Sequence, residues 1–321
     1  HLGDEAIHIT ASLGITLFPS DAENIDGLIK NADQAMYEAK KRGRNCFSYF
    51  TQSLQDNALK RLQLSKDLRR AINAQQFEVY FQPIVDIRTN EINKAEALIR
   101  WHHPKRGMVS PLDFIPLAEE IGLINEIGDW VFKESARWAN HWNKKFNSPL
   151  QISVNMSPIQ FKLENEVFIK NWLDYLSDTG LSGESIVIEI TEGLLMNAEA
   201  DIMEKLLWLR DAGIQVAIDD FGTGYSSLAY LKKFDIDYLK IDQSFVRNME
   251  TDSNDVALSE AIIVMAHKLG LKVIAEGVET EAQKQLLINA DCDFAQGYLY
   301  AKPVPSKEFE VLLQQQADLI K

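Results

Sequence analysis

A series of short apolar segments alternates with helical patterns from residue 77 onward, and this alternation limits the fold more than any other part of the sequence. The segments predicted as strands are Val79–Ile87, Ile92–Trp101, Leu150–Asn155, Ser185–Thr191, Gln215–Asp219, Tyr238–Ile241, Lys272–Glu276 and Phe294–Tyr298. About eight strands separated by helices, within about 245 residues, predict an α/β fold of the (β/α)8 barrel type. Only a short turn around Arg88-Thr89-Asn90 joins the first two strands. Such a turn indicates a hairpin, so we expect one antiparallel strand in an otherwise parallel barrel.

The predicted strands after the first each have a polar, mostly acidic residue at or near the carboxyl end. These residues are Glu96, Asn155, Glu189 with Glu192, Asp219 with Asp220, Asp242, Glu276 with Glu279, and Gln296. In a barrel these ends meet on one face, where carboxylates repel one another unless a cation neutralises them. The set offers oxygen ligands and neither His nor Cys, which predicts Mg²⁺, Mn²⁺ or Ca²⁺ rather than zinc.

The adjacent Asp219 and Asp220 could bridge two ions, and two ions about 4 Å apart are a common means of hydrolysing phosphate esters. A single acid at a strand end is more often a helix cap or a solvated loop residue. That alternative stays open for individual members: Glu192 and Glu279 could order loops, and Asp242 could simply pair with Lys240.

Composition argues against several classes of function. Acidic residues number 47 and basic residues 33, a formal net charge of −14 that disfavours binding to nucleic-acid polymers or anionic lipid. Cys46 and Cys292 have no CxxC neighbour, which fits a reducing cytosol and disfavours a zinc site. No apolar run approaches the roughly 18 residues of a membrane span. We therefore expect no membrane contact by this fragment and a cytoplasmic location, either by itself or as the cytoplasmic part of a longer membrane-bound sensor.

Ordered motifs across residues 70–315 closely resemble those of the EAL family of cyclic-di-GMP phosphodiesterases. They are Phe81-Gln82-Pro83-Ile84-Val85, Glu96-Ala97-Leu98 with Arg100, Asn155-Met156-Ser157, Glu189-Ile190-Thr191-Glu192, Asp219-Asp220-Phe221-Gly222-Thr223-Gly224, Lys240-Ile241-Asp242, Glu276-Gly277-Val278-Glu279 and Gln296-Gly297-Tyr298. No catalytic position departs from the family's pattern, which speaks against a degenerate domain that only binds. The Asp-Phe-Gly triplet also occurs in kinases, but neither a Gly-rich nucleotide loop nor an HRD triplet accompanies it.

The resemblance implies a role for each candidate residue. The implied ligands of one Mg²⁺ or Mn²⁺ are Glu96, Asn155, Glu189 and Asp219, and those of a second ion are Asp219 and Asp220. The implied catalytic residues are Glu276 as general base or water-orienting carboxylate, Lys240 as the group that holds the attacking water, and Asp242, which positions Lys240. The implied substrate contacts are Gln82, Leu98, Gln296 and, through a phosphate, Arg100. The implied loop-ordering residues are Glu279 and, for the loop of residues 221–227, Glu192.

The implied activity is hydrolysis of one phosphodiester of cyclic di-GMP to linear pGpG, by in-line attack of a metal-activated water. A non-catalytic cyclic-di-GMP receptor and a different metal-dependent barrel enzyme, of the enolase type, remain as alternatives. A glycosidase fits less well, because Asn155 and the aspartate pair suit metal ligation. The loop of residues 221–227 connects the site to a dimer interface in this family, so a homodimer is expected.

The segment before the barrel reads as strand, helix, strand and a second helix, with strands over Ile7–Phe18 and Cys46–Phe50. Residues 10–15, 32–37 and 39–45 resemble the C-terminal end of a GGDEF (diguanylate cyclase) domain whose signature is absent, so no cyclase activity is expected. The predicted division is a small α+β GGDEF remnant over 1–52, a connector helix over 53–70 and a modified TIM barrel, the EAL domain, over 71–321. The first residue is His1, and we expect the chain to be part of a longer polypeptide.

Overall fold

The computed structural model describes residues 9–161, 167–196, 200–222, 231 and 234–319. The chain divides into two compact units, His1–Arg70 and Ala71–Lys321. Among the described residues we find no helix that combines the length and the apolar character needed to span a bilayer.

The first unit contains a parallel pair of short strands. Its elements in chain order are β1 (Leu13–Ile15), α1 (Ile25–Lys41), β2 (Phe47–Tyr49) and α2 (Gln52–Ala71). Strands β1 and β2 pair in parallel, as expected for two strands connected by a helix. Helix α1 begins after Asn24, whose side chain accepts a hydrogen bond from the Gly27 N–H at 2.7 Å and so satisfies an otherwise unpaired donor.

The first predicted strand, Ile7–Phe18, is too long. In its described part only Leu13–Ile15 form a strand, because the chain then turns: Asp21 N–H donates to the Leu17 carbonyl, and Leu17 N–H donates to the Asp21 carboxylate. Residues 7 and 8 lie outside the described residues.

The second unit alternates strands and helices. Its strands are β3 (Phe77–Asp86), β4 (Ile92–His103), β5 (Gly107–Val109), β6 (Gln151–Asn155), β7 (Ile186–Thr191), β8 (Gln215–Phe221), β9 (Tyr238–Ile241), β10 (Lys272–Ala275), β11 (Phe294–Gln296) and β12 (Val304–Pro305). Its helices include α3 (Pro111–Glu120), α4 (Ile124–Phe146), α5 (Pro158–Phe161), α6 (Val167–Thr179), α7 (Glu192–Met196), α8 (Ala200–Asp211), α9 (Gln243–Arg247), α10 (Ser253–Lys268), α11 (Glu281–Asn289) and α12 (Ser306–Leu319). The strands predicted from the sequence are all present, with ends that differ by a few residues.

The sheet closes into a barrel through β3. Strands run in the order β3-β11-β10-β9-β8-β7-β6-β4, and β3 also pairs with β4, while β5 and β12 extend the sheet outside the ring. Strand β3 is antiparallel to both β4 and β11, and the other ring neighbours are parallel. The expectation of a (β/α)8-type barrel with one antiparallel strand is therefore confirmed.

An apolar layer fills the middle of the barrel. Its buried members are Ile84, Val187, Ala217, Tyr238, Ile274 and Phe294. On β7 to β11, each apolar residue of the layer lies two positions before a polar residue: Glu189, Asp219, Lys240, Glu276 and Gln296. Residues two apart on a strand share a face. The layer thus forms the floor on which the polar residues of the carboxyl ends stand.

Candidate active site

Lys240 of β9 lies at the centre of the carboxyl-end face and is completely buried. Its Nζ is 2.7 Å from Glu276 Oε1, 2.8 Å from Glu189 Oε2, 3.1 Å from Asp219 Oδ1 and 3.6 Å from Glu96 Oε2. These acids come from β4, β7 and β8 and from the residue that follows β10. Alternating strands and helices have therefore brought together residues that are up to 180 positions apart, from 96 to 276.

Three amide side chains line one side of this cluster. Asn155 Nδ2 donates to Glu96 Oε1 at 2.7 Å, and Gln296 Nε2 donates to Glu96 Oε2 at 2.6 Å. Gln296 Nε2 also donates to Gln82 Oε1 at 3.0 Å, and Gln82 Nε2 donates to the Ala301 carbonyl at 3.1 Å. Both oxygens of Glu96 are thus held in fixed directions. Gln82 links the cluster to the loop that follows β11.

Burial and mutual repulsion shift the pKa values of the cluster. Burial raises the pKa of Glu189 well above its ordinary value, against the opposing effect of Lys240. Burial also raises the pKa of Glu276 to about 7, and Lys240 opposes this shift as well. Burial by itself would lower the pKa of Lys240, but Asp219, Glu189, Glu276 and Glu96 together raise it well above its ordinary value. A single ammonium therefore faces four carboxyl groups, and the raised pKa values of Glu189 and Glu276 reflect this excess of acidic groups.

A β-bulge orients the two adjacent aspartates. Between Ile218 and Phe221, strand β8 uses three residues where β9 uses two, and Asp220 has a left-handed backbone with φ of 55°. Successive residues of a regular strand point to opposite faces, whereas a bulge redirects a side chain. Asp tolerates this conformation better than most residues because its short side chain can hydrogen-bond locally. The bulge therefore allows Asp219 and Asp220 to present oxygens to one point.

The donor set fits a hard divalent cation. One oxygen each from Asp219, Asp220 and Glu276 lie within 4.8 Å of one another. The Oε1 atom of Glu189 is buried and has no hydrogen-bond partner, and buried polar oxygens normally have one. Carboxylate oxygens grouped in this way suit Mg²⁺ or Mn²⁺.

Glu192 connects β7 to the loop that follows β8. Its Oε2 accepts a hydrogen bond from the Gly222 N–H at 3.2 Å. Gly222 has φ of +99°, and a Cβ there would lie 2.8 Å from the Phe245 ring, so this close approach requires glycine. The rest of the loop, residues 223–227, lies outside the described residues.

Asp242 and Glu279 lie at the starts of helices α9 and α11, and Asp242 is among the groups that raise the pKa of Asp220. The Asp242 side chain accepts a hydrogen bond from Ser244 N–H at 2.9 Å and caps helix α9. Among the described residues, the carboxylates that contact Lys240 do not include Asp242. Glu279 is exposed at the residue before the cap of α11.

Leu98 and Arg100 follow Glu96 on the same face of β4. The Arg100 guanidinium donates to the Ile99 carbonyl at 2.9 Å and lies 5.4 Å from the centre of the Tyr80 ring. Tyr80 was not among the residues expected at the site. The two-residue alternation of strand β3 gave a signal that could have found it, because Tyr80 lies two positions before Gln82 and therefore on the same face.

A model of the EAL domain family matches residues 65–303, and a model of the diguanylate cyclase GGDEF domain matches residues 1–46. The chain is 39% identical over 302 residues to the bifunctional diguanylate cyclase/cyclic di-GMP phosphodiesterase MucR of Pseudomonas aeruginosa, covering 94% of this chain and 44% of MucR. It is 37% identical over 313 residues to the cyclic di-GMP phosphodiesterase NbdA of the same organism, covering 98% of this chain and 40% of NbdA. It therefore spans less than half the length of either relative.

The structure also resembles a solved complex of the MucR phosphodiesterase with c-di-GMP. The TM-score is 0.73 at 38% identity, and the match covers 77% of this chain and 99% of the solved one. The similarity thus includes nearly the whole of that phosphodiesterase structure.

Proposed function

The chain belongs to the EAL domain family, and from that premise we propose that it hydrolyses cyclic di-GMP to linear pGpG in a reaction that depends on Mg²⁺ or Mn²⁺. The relatives MucR and NbdA carry cyclic-di-GMP phosphodiesterase in their names, and each aligns with nearly all of this chain. Both are much longer, so the activity of this segment is an inference of our own.

The observation that carries the proposal is the arrangement around Lys240. Four carboxylates lie within 4.0 Å of one buried ammonium, at the end of the barrel where active sites of this fold lie. A purely structural cluster would gain little from this arrangement, because burying several like charges is costly. An excess of buried acidic groups is instead suited to divalent cations, which would in turn hold an anionic phosphodiester.

The proposed ligands of the two ions are Glu96, Asn155, Glu189, Asp219 and Asp220, as the family resemblance implies. The unpartnered Glu189 Oε1 and the grouped oxygens of Asp219, Asp220 and Glu276 support this assignment. Bound divalent cations would lower the pKa of water and neutralise charge on the phosphoryl oxygens.

The other residues bind the substrate, transfer a proton or stabilise charge. Glu276 Oε1 accepts a hydrogen bond from Lys240, which leaves Oε2 to take a proton from the attacking water. The Lys240 ammonium stabilises the negative charge that develops on the phosphoryl group. Gln82, Leu98 and Gln296 contact the substrate beside Glu96, and Arg100 binds a phosphate. Glu192 orders the start of the loop after β8, and the cap made by Asp242 fixes the chain just after Lys240.

The test is turnover of cyclic di-GMP by the purified chain with Mg²⁺ or Mn²⁺, with products separated by chromatography. Glu96→Gln should remove turnover. Glu91→Gln, which changes an exposed carboxylate at the turn between β3 and β4, should retain it. Excess EDTA should stop the reaction, and Mg²⁺ should restore it. Micromolar binding of cyclic di-GMP without turnover would contradict the proposal and favour a receptor.

We also propose that the chain acts as a homodimer, with the loop of residues 221–227 linking the active site to the interface. Shortening this loop should weaken dimerisation, measured by sedimentation, and turnover together. Loss of turnover in a protein that stays fully dimeric would contradict this proposal.

A further inference from the structure

A row of two tyrosines and two cations lies beside the acidic cluster. Arg100 lies over the ring of Tyr80, and the Lys302 Nζ lies 5.2 Å from the centre of the Tyr298 ring. Gln82, two positions after Tyr80 on β3, donates to the carbonyl of Ala301, which directly precedes Lys302, so the two pairs lie on adjacent segments of the barrel mouth. Burial lowers the pKa of the Arg100 guanidinium, and Tyr80, Glu96 and Tyr298 oppose this shift. The row therefore runs Tyr80, Arg100, Tyr298, Lys302, and we refer to it as the cationic rim.

The cations of the rim are available to a ligand. Among the described residues, no carboxylate lies within 4.0 Å of the guanidinium of Arg100 or the ammonium of Lys302. The chain as a whole is strongly acidic, with 47 acidic residues, and two cations without a carboxylate in contact beside an acidic site are suited to an anionic ligand. Each cation lies over a tyrosine ring, and Arg100 also donates to the Ile99 carbonyl; these contacts position the charge without neutralising it.

The backbone fixes the rim relative to the acidic cluster. Lys302 directly follows Ala301, whose carbonyl accepts the hydrogen bond from Gln82. Val278 N–H donates to the Gln296 carbonyl at 3.0 Å, and Leu299 N–H donates to the Val278 carbonyl at 3.0 Å. The loop that bears Tyr298 and Lys302 is thus tied at both ends to residues of the barrel mouth.

The rim and the cluster lie at two points of the same barrel mouth, which suits a ligand with two anionic groups. Arg100 lies four residues beyond Glu96 on β4, which corresponds to about 13 Å of strand. The long Arg100 side chain covers part of this distance, so a ligand that touches both needs a second negative charge a short way from the reacting phosphate. A cyclic dinucleotide has this chemistry, because its ring contains two phosphodiesters.

We propose that Lys302, together with Arg100, binds the phosphodiester of the cyclic dinucleotide that is not being hydrolysed, and that Tyr298 positions Lys302 for this contact. This inference rests on the proposed function. It adds to the substrate site a loop that the sequence motifs did not assign. The contact is made equally in the ground state and the transition state, so it contributes to binding rather than to the chemical step.

Steady-state kinetics of Lys302→Met test the role of Lys302. Methionine keeps an apolar stem of similar length and removes the charge. We expect KM to rise about tenfold with kcat within twofold, because a charge-assisted contact to phosphate is lost. The decrease of kcat/KM with added salt should also become shallower. The matched control is Lys307→Met, an exposed lysine in the first turn of α12, which should behave as the unaltered chain.

Two variants of Tyr298 separate positioning from simple packing. Tyr298→Phe retains a ring beneath the ammonium and should keep the ordinary KM, whereas Tyr298→Leu should show the raised KM and the shallower salt dependence of Lys302→Met. An unchanged KM in Lys302→Met, or a fall in kcat alone, would overturn the inference.

Failure of the rim proposal can be distinguished from failure of the proposed function. If the unaltered chain binds cyclic di-GMP without turnover, the proposed function fails, and calorimetric titration with cyclic di-GMP still tests the rim. Weaker binding by Lys302→Met would then support the rim, and equal binding would overturn it. Absence of both turnover and binding in the unaltered chain would overturn both proposals.

Discussion

The Nζ atom of Lys240 lies 2.8 Å from Oε2 of Glu189, and both side chains are completely buried. Neither charge has access to bulk water, so each is stable only in the presence of the other. Glu96, Asp219 and Glu276 surround the pair and add further negative charge. Before any divalent cation binds, Lys240 is the counterion that holds the acidic end of the barrel together.

Removing this counterion should destabilise the metal-free protein. In Lys240→Met the buried Glu189 loses its charged partner and must either bind a proton or stay unpaired, and breaking a buried ion pair from one side costs up to about 3–5 kcal/mol. We expect a clearly lower Tm in EDTA at pH 8. Addition of Mg²⁺ should recover part of the loss, because a bound cation replaces some of the missing positive charge. Equal Tm values for Lys240→Met and the unaltered chain in EDTA would show that Lys240 does not balance the cluster.

Glu276→Gln should separate catalysis from stability. Glutamine can still accept the hydrogen bond from Lys240 through its carbonyl oxygen, so the Tm should stay close to that of the unaltered chain. A glutamine cannot take a proton from water, and loss of a general base lowers kcat by about 10²–10⁴-fold. Turnover of cyclic di-GMP and the Tm are measured on the same preparation. Glu281→Gln, which changes an exposed carboxylate five residues later, is the control. Full activity of Glu276→Gln would exclude it as the base.

The left-handed backbone of Asp220 predicts a difference between two substitutions. Asparagine tolerates a φ of 55°, whereas alanine pays about 1 kcal/mol for it. Burial and then Asp219 raise the pKa of Asp220, so removing its charge relieves repulsion. We expect Asp220→Asn to be at least as stable as the unaltered chain and Asp220→Ala to be less stable than Asp220→Asn in chemical denaturation. Both should lose metal-dependent turnover. Equal stability of the two variants would show that the bulge does not strain the alanine backbone.

The sequence predicted the barrel well because each of its signals is local. Apolar runs of strand length, separated by helical patterns, mark strands wherever they lie, and the short turn at residues 88–90 required an antiparallel neighbour for β3. Acids at strand ends indicated the site for a similar reason, because the topology of a barrel brings those ends together. None of these inferences needed the register between strands.

Features that depend on register or on competing roles were not predictable. The bulge at Asp220 arises from the pairing of β8 with β9, which lies 17 or more residues further along the chain. Asp242 follows a strand and precedes a helix, so the sequence alone does not distinguish a partner of Lys240 from a helix cap, and the structure has the cap. The cationic rim draws on β3, β4 and the loop after β11, three segments that become neighbours only when the barrel closes.

A second buried lysine, at the opposite end of the barrel, also escaped the sequence analysis. Lys94 precedes Glu96 by two residues on β4, donates hydrogen bonds to Gln151 and to Tyr238 Oη, and lies over the Tyr238 and Phe294 rings. Burial, and secondarily Lys272, lower the pKa of Lys94 from its ordinary 10.5 to about 7, while Asp237 opposes the shift. The apolar layer separates this lysine from the active site, so its effect should be on stability.

Lys94→Met should therefore change how stability depends on pH. Lys94 has a pKa near 7 in the folded state and near 10.5 in the unfolded state. It therefore destabilises the folded protein most below pH 7, where it is charged in both states. The penalty is relieved as the pH rises from 7 to 10.5, because only the unfolded chain then holds the proton. Both proteins are measured by chemical denaturation at pH 6, 8 and 10. The gain in the free energy of unfolding of the variant over the unaltered chain should be largest at pH 6, and about 2–4 kcal/mol larger there than at pH 10. A difference that stays constant across this range would show that Lys94 remains charged in the folded protein, held by the two rings.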